Sequence, residues 1–225
     1  MPTHAAPRPK IRKSRKDSEA TRMKIIDAAE RLFSKRGFFG VSMRDITQEA
    51  KVPLALATHH FGRKLDLFRA VVERRAAEHS TYIRNKLAAV VAEAGDRPPT
   101  VAALLTAYLS ALVELARIDE GWANYSRLAA KASDWQQNEA YSNFVLEFYF
   151  PVIQEYIEQL RRSLPTISKE NLHWAFYFFE SALVQFFSMS GLVDRQSDGL
   201  CRSSDLETIL EKAGPFFAAG FHSFA

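Results

Sequence analysis

The feature that most constrains this chain is where its apolar runs are forced to stop. From about Ser18, the residues Ile25, Ala28, Ala29, Leu32 and Phe33 recur at helical spacing, and Gly37 follows Lys35 and Arg36 as a left-handed stop. The run 42-SMRD-45 then places an N-cap serine three residues before an acid, which opens a short helix with Ile46 and Ala50 inward. Lys51-Val52-Pro53 makes a turn, with Pro53 expected at the first position of a third short helix ending near His60. After Gly62 a much longer helix begins, with Leu65, Phe68, Val71 and Val72 on one face, continuing to about Ala92. Pieces this short, separated by a three-residue turn, have one common arrangement: two crossed helices with a third behind them.

The rest of the chain keeps the helical period. Helices are expected at about 100–118, 122–133, 139–163, 168–193 and 204–222, with turn clusters 95-GDRPP-99, 164-LPTISKE-170 and 194-DRQSDGLCRSS-204 between most of them. No β alternation persists. The expected fold class is all-α, with a three-helix helix-turn-helix domain ahead of a larger helical domain. The boundaries follow: 1–17 as a disordered basic arm, 18–75 as the helix-turn-helix domain and 76–225 as the larger one.

Charge divides the chain in the same place. Residues 1–75 hold 18 Lys and Arg against 8 Asp and Glu, and residues 76–225 hold 12 against 18, so a net of +10 precedes a net of −6. A basic front points to a polyanionic partner. The single cysteine, Cys201, excludes an internal disulfide framework and suits a reducing compartment, so the expected location is the cytoplasm. Segment 172–193 is long enough to span a membrane but carries His173, Glu180 and Gln185, and it is read as a buried helix with no membrane role. There is no G-x-S-x-G, H-E-x-x-H or phosphate loop, and Cys201 lies in a polar loop without a nearby histidine, so an enzyme is not expected.

The stretch 52-VPLALATHHFGRK-64 carries the functional expectation. The third helix is narrow enough to lie in a DNA major groove. Pro53, Leu54 and Ala55 would approach it, with Leu54 as an apolar contact and Leu56 as the better core candidate. Thr58 would meet a base edge or phosphate, and His59 and His60 would donate to phosphates. Lys64 would add a phosphate contact at the first turn of the long helix, where the dipole favours an anion. Ser42 and Arg44 would hold the opposite phosphate wall, and the basic arm would reach a minor groove. His60 beside Phe61 equally suits plain packing. As metal ligands the pair fits poorly, since adjacent helical residues point about 100° apart; no metal or cofactor is expected.

The run 21–75 resembles the DNA-binding domain of the tetracycline-repressor (TetR) family. The resemblance rests on Ile26 and Ala29, Leu32-Phe33, Gly37-Phe38, Ser42, Asp45-Ile46, Ala50, Val52, His60-Phe61 and Lys64, all in register. It implies homodimers on palindromic operators, usually repressors released by a small ligand. Three places depart from the family pattern. Lys51-Val52-Pro53 replaces Gly-Val-Ser, Thr58 and His59 stand where a tyrosine is usual, and Arg63-Lys64-Leu65 replaces Ser-Lys-Glu with loss of the capping hydroxyl.

In the rear, helix 171–193 is apolar nearly all round and must be covered all round. Trp174 and Phe178, with Phe217 and Phe221 of the last helix, are the expected dimer face, two helices from each chain forming an isologous interface; Gly214-Pro215 should kink that last helix. Pro151 leaves the carbonyl of Glu147 without its helical donor. That kink, among Tyr108, Trp122, Tyr125, Phe144 and Phe148, suits the wall of a cavity for an apolar effector. Ordinary core packing accounts for the same rings. Glu180, Gln185 and Arg127 are the polar groups expected to be partly buried, Glu180 being a ligand candidate. Segment 161–174 resembles a branch of the family that senses fatty acids or acyl-CoA esters. The function expected is a dimeric, ligand-responsive repressor; the alternative is a nonspecific or activator-type DNA-binding protein.

Overall fold

The computed structural model describes residues 15–132 and 139–225, with side chains 130–146 excepted. Ten helices and no strand make up the described residues: α1 Arg15–Arg36, α2 Met43–Ala50, α3 Leu54–Phe61, α4 Lys64–Ala94, α5 Val101–Ala116, α6 Glu120–Ala132, α7 Glu139–Ser163, α8 Lys169–Ser188, α9 Leu192–Gln196 and α10 Leu206–Ser223. The fold is the expected all-α arrangement.

Turn chemistry sets the front. Gly37 takes φ 70° and donates its N–H to Phe33 O at 2.8 Å, which ends α1. A full capping box opens α2: Asp45 N donates to Ser42 Oγ at 3.2 Å, and Ser42 N donates to Asp45 Oδ2 at 2.8 Å. Lys51 closes α2 in the left-handed region at φ 55°, a position where the family resemblance would place glycine. Pro53 sits one place earlier than expected. With φ −61° and ψ 142° it is the extended cap of α3 rather than its first residue: its φ suits a helix, but its ψ does not, so the helix starts at Leu54. Arg63 offers no side-chain oxygen to cap α4, and Asp66 compensates by accepting from Arg63 N at 3.3 Å and Nε at 3.1 Å.

Inside the front, Phe33, Phe38 and Phe68 form a ring trio with centroids 5.4–5.8 Å apart. Ala57 and Phe61 are the buried residues of α3, and Leu56, expected inward, is only half-buried. The reason is register: Ala57 and Phe61 are four apart and seat the helix through its last turn. Helix α1 extends to Arg15, so residues 15–17 of the expected arm are helical; residues 1–14 lie outside the described residues.

α4 runs 31 residues, about 46 Å at ~1.5 Å per residue. It packs against α1 and α3 near its start and against α5 and α7 farther on, and α1 also packs on α6. The rear centres on Tyr108, whose ring meets Tyr156, Phe179 and Phe176 at 4.9, 5.8 and 6.2 Å. α6 begins at Glu120, two residues before its expected start, because Asp119 Oδ1 accepts Trp122 N at 2.7 Å. The helix expected over 168–193 ends at Ser188, where Met189 (φ 46°) and Gly191 (φ 66°) turn left-handed, and Leu192-Val193 start α9. Pro215 lies inside α10, and the buried Gly214 before it lets α10 approach α5: a Cβ there would collide with Thr106 Oγ1. No helix among the described residues is long and apolar enough to cross a membrane.

Candidate nucleic-acid interface and buried polar row

The outer face of α3 is made by Leu54, Ala55, Thr58 and His59, spaced i, i+1, i+4 and i+5, and all four are exposed together with Pro53. Leu54 is 41% exposed, an apolar side chain left in water by a helix whose opposite side is seated. Arg44, in the first turn of α2, is exposed beside this surface element. His60 is half-buried, its ring 6.1 Å from Phe61 and 5.7 Å from His59, so packing claims part of it.

Two residues expected at the DNA are engaged elsewhere. Lys64 Nζ donates to Phe38 O and Val41 O, each at 3.0 Å, and lies 4.2 Å from the centre of the Phe38 ring. Partial burial lowers its pKa. Two of its three N–H groups thus clamp the loop between α1 and α2. Ser42 is exposed, and its hydroxyl donates to Asp45 Oδ2 at 2.6 Å while accepting from Asp45 N, so its proton and one lone pair serve the cap.

Polar side chains connect the front to the rear. Glu30, 3% exposed on α1, accepts from Arg75 Nε at 3.0 Å and pairs with Arg74. Arg75 also lies 4.6 Å over the Trp122 ring of α6. Ser34 donates to Asn124 Oδ1 at 3.1 Å, and Arg127 donates to the same oxygen at 2.8 Å. Arg127 is thus half-buried as expected, whereas Gln185 is exposed and donates to Ser190 at 2.9 Å.

Beyond Trp122 three buried polar groups stand in a row. His79 Nδ1 is 2.9 Å from the Tyr149 hydroxyl, which is 2.8 Å from the Tyr125 hydroxyl. Trp122 stacks on His79 at 6.1 Å with 22° between planes. Burial pulls the His79 pKa down to about 4 and pushes Tyr125 and Tyr149 above the usual phenol range. The ligand candidates therefore split. Trp122 and Tyr125 belong to this row, whereas Tyr108 belongs to the separate ring cluster with Tyr156 and Phe179. Phe148 is half-buried against the core, and Glu180 is half-buried with its pKa pushed up to about 7 by burial. The side chain of Phe144 lies outside the described residues, as does Trp135. A cleft of about 500 Å³ between α4 and α7, lined by Arg84, Leu87, Val91 and Glu155 among others, includes none of these candidates.

On α8, Trp174, Tyr177 and Phe178 are 50, 58 and 48% exposed, and Phe216 of α10 is 73% exposed. Phe217 is half-buried with its ring 5.4 Å from Phe179. Phe221 is 1% exposed, so it belongs to the protomer core and the expected dimer contact is corrected. The reason is angular: Phe216 and Phe221 are five apart and point about 140° from each other on a helix.

A family model described as bacterial regulatory proteins, tetR family, matches residues 25–71. A second, described as tetracyclin repressor-like, C-terminal domain, matches residues 106–220, half of the chain. The chain belongs to the TetR family. Among curated relatives, the HTH-type transcriptional regulator TtgR and the probable HTH-type transcriptional regulator ArpR, both of Pseudomonas putida, are each 32% identical over 74 residues. Each match spans 33% of this chain and 35% of the relative's length. Among solved structures, the fatty acid degradation regulator FadR from Bacillus halodurans superposes with a TM-score of 0.57 at 18% identity, covering 88% of this chain and 94% of that one. FadR from Bacillus subtilis, solved in complex with stearoyl-CoA, gives 0.55 at 15% identity, covering 88% and 98%.

In this TetR-family chain the residues that sequence reasoning passed over are His79, Tyr149 as a hydrogen-bonding group, and Glu30. A signal existed: His79 falls in the apolar stripe Val72, Ala76, Ile83 and Leu87 of α4, and Glu30 falls beside Ile26 and Phe33 on α1. A polar residue on a buried stripe requires a partner. Nothing local says which.

Proposed function

We propose that this TetR-family regulator is a homodimer that binds a palindromic operator through α3 and represses transcription until a small, largely apolar effector enters the rear domain. The observation that carries the reading is the α3 face. Leu54, Ala55, Thr58 and His59 are exposed on a helix anchored by Ala57 and Phe61, which is the form a major-groove reading helix takes. Arg44 supports it as a phosphate contact. Trp174, Tyr177, Phe178 and Phe216 support the dimer, since large exposed aromatic rings on two neighbouring helices are a surface that association covers. The fold likeness to a regulator solved with stearoyl-CoA supports an effector with a long apolar chain, acyl compounds being the first class to try.

The test is selection of DNA from a random pool by the purified chain at ~150 mM salt, a concentration at which nonspecific phosphate binding is weakened. A palindromic consensus is the expected result. Binding that vanishes with rising salt and enriches no sequence would establish the competing reading, nonspecific binding driven by the basic front. Adding acyl compounds to the selected complex then separates release from enhancement.

A further inference from the structure

The row His79–Tyr149–Tyr125 has more protons to donate than contacts within it to take them. A neutral imidazole carries one N–H and each tyrosine one O–H, three protons in all, while the row offers two contacts. If Tyr125 donates to Tyr149 and Tyr149 to His79 Nδ1, then Nε2–H is left over. If Nδ1–H donates instead, the surplus moves to a tyrosine hydroxyl. Every tautomer and direction leaves one donor unused. Protonating the imidazole would add a second, and burial opposes it.

Among the described residues, nothing takes that proton at the histidine end. His79 is 2% exposed, and its Nε2 is buried without a hydrogen-bond partner. Its neighbours there are ring faces and edges: Trp122 stacked at 6.1 Å, Tyr125 at 5.4 Å and 71°. Next along α6, Ser126 Oγ is also buried without a partner among the described residues. An unmet buried donor costs the fold its desolvation, and phenylalanine at 125 or 149 with leucine at 79 would pack the same space without that cost. A row that only stabilised the core would not need its hydroxyls and imidazole.

We propose that this row recognises a neutral hydrogen-bond acceptor, a ketone, ester or thioester oxygen, carried by an otherwise apolar effector. The inference rests on the effector-responsive reading above and specifies the chemistry of the ligand. A carbonyl oxygen accepts the surplus proton and brings no charge into a site that already excludes one from His79. A hydrocarbon of the same shape leaves the donor unmet. The position also links ligand to DNA: Trp122 stacks on His79, Arg75 lies over Trp122, and Arg75 holds Glu30 of α1 at 3.0 Å. A ligand that shifts His79 acts on this line.

The experiment uses the full chain and two shape-matched pairs, 9-fluorenone against fluorene and 2-tridecanone against n-tridecane, with affinities from thermal unfolding in a concentration series. The expected result is that at least one ketone binds about tenfold or more tightly than its hydrocarbon, the worth of one well-made hydrogen bond in a dry site. That preference falls to about threefold or less in Tyr149→Phe and in His79→Leu. Should either variant fail to fold, histidine ¹⁵N spectra of the wild-type chain decide: the ketone moves the His79 Nε2 resonance and the hydrocarbon does not. Equal binding within both pairs, a preference that survives both substitutions, an unmoved Nε2, or no binding by any probe overturns the proposal. Retention of the selected operator, measured on the same samples, separates this failure from failure of the regulator reading, which would show as loss of DNA selection.

Discussion

Two positions on α4 turn a basic side chain into the protein and handle it in opposite ways. At the start of the helix, in the front, Lys64 gives two of its protons to Phe38 O and Val41 O and rests on an aromatic face. Fifteen residues later, in the rear, His79 has one bonded nitrogen and one without a partner among the described residues. The first arrangement is closed and holds a loop in a single shape. The second leaves a buried polar atom unmet among the described residues. The contrast fits the two tasks proposed above. A helix that reads DNA must be held still, because its partner has a constant shape. A ligand site has to leave a polar group waiting and accept the cost in stability.

The sharpest way to break the comparison is through packing. Phe33→Ala or Phe68→Ala should remove one ring of the front trio at a cost of ~3–5 kcal/mol, measured by urea unfolding. Phe216→Ala should cost the protomer almost nothing and weaken dimerisation instead, seen by sedimentation. If Phe216 proved as costly to the protomer as Phe33, the reading of Phe216 as a surface ring outside the protomer core would fail.

Next is the pH dependence of the open site. His79 has a folded pKa near 4 against 6.5 unfolded, so below 6.5 the unfolded chain takes up a proton that the folded chain refuses. Its contribution is intact above pH 6.5 and is lost as the pH falls to 4, on the order of 3 kcal/mol in total. Glu180 works the other way: its pKa rises from 4.5 to about 7, so its contribution is present below pH 4.5 and is lost as the pH climbs to 7. Comparing wild type with His79→Gln at pH 7 and pH 4.5 isolates the histidine. Curves that stay parallel would mean His79 is solvated and the row is not closed to water.

A smaller effect tests the clamp. Lys64→Met keeps the apolar stem but leaves two carbonyls without their donor, and should cost ~1–3 kcal/mol of stability with operator preference unchanged. Unchanged stability with weaker binding to all DNA would return Lys64 to the phosphate backbone. Smallest in free energy for the protein itself is Thr58→Ala. It should leave stability within ~0.5 kcal/mol, as exposed substitutions do. Preference at one or two operator positions should shift by ~1–3 kcal/mol, read from repeated selection. An identical consensus would assign Thr58 to the backbone.

The sequence by itself determined the helical class, nearly all element positions and the helix-turn-helix arrangement. Those outcomes depend on contacts between residues four or fewer apart: Gly37 closing on Phe33, and Ser42 and Asp45 capping each other. The misses of boundary, such as the stop at Met189 and the start at Glu120, came from single residues whose local chemistry competes weakly with an apolar period. Side-chain destinations were decided elsewhere. Lys64 reaches a carbonyl 26 residues away, Tyr125 meets a hydroxyl 24 away, and Tyr149 meets an imidazole 70 away. Phe216 and Phe221 differ only in which side of α10 faces α8 and α5. Periodicity says that a stripe is buried, but only the packed helices bring together the groups that share it, and the polar row exists because α4, α6 and α7 meet where they do.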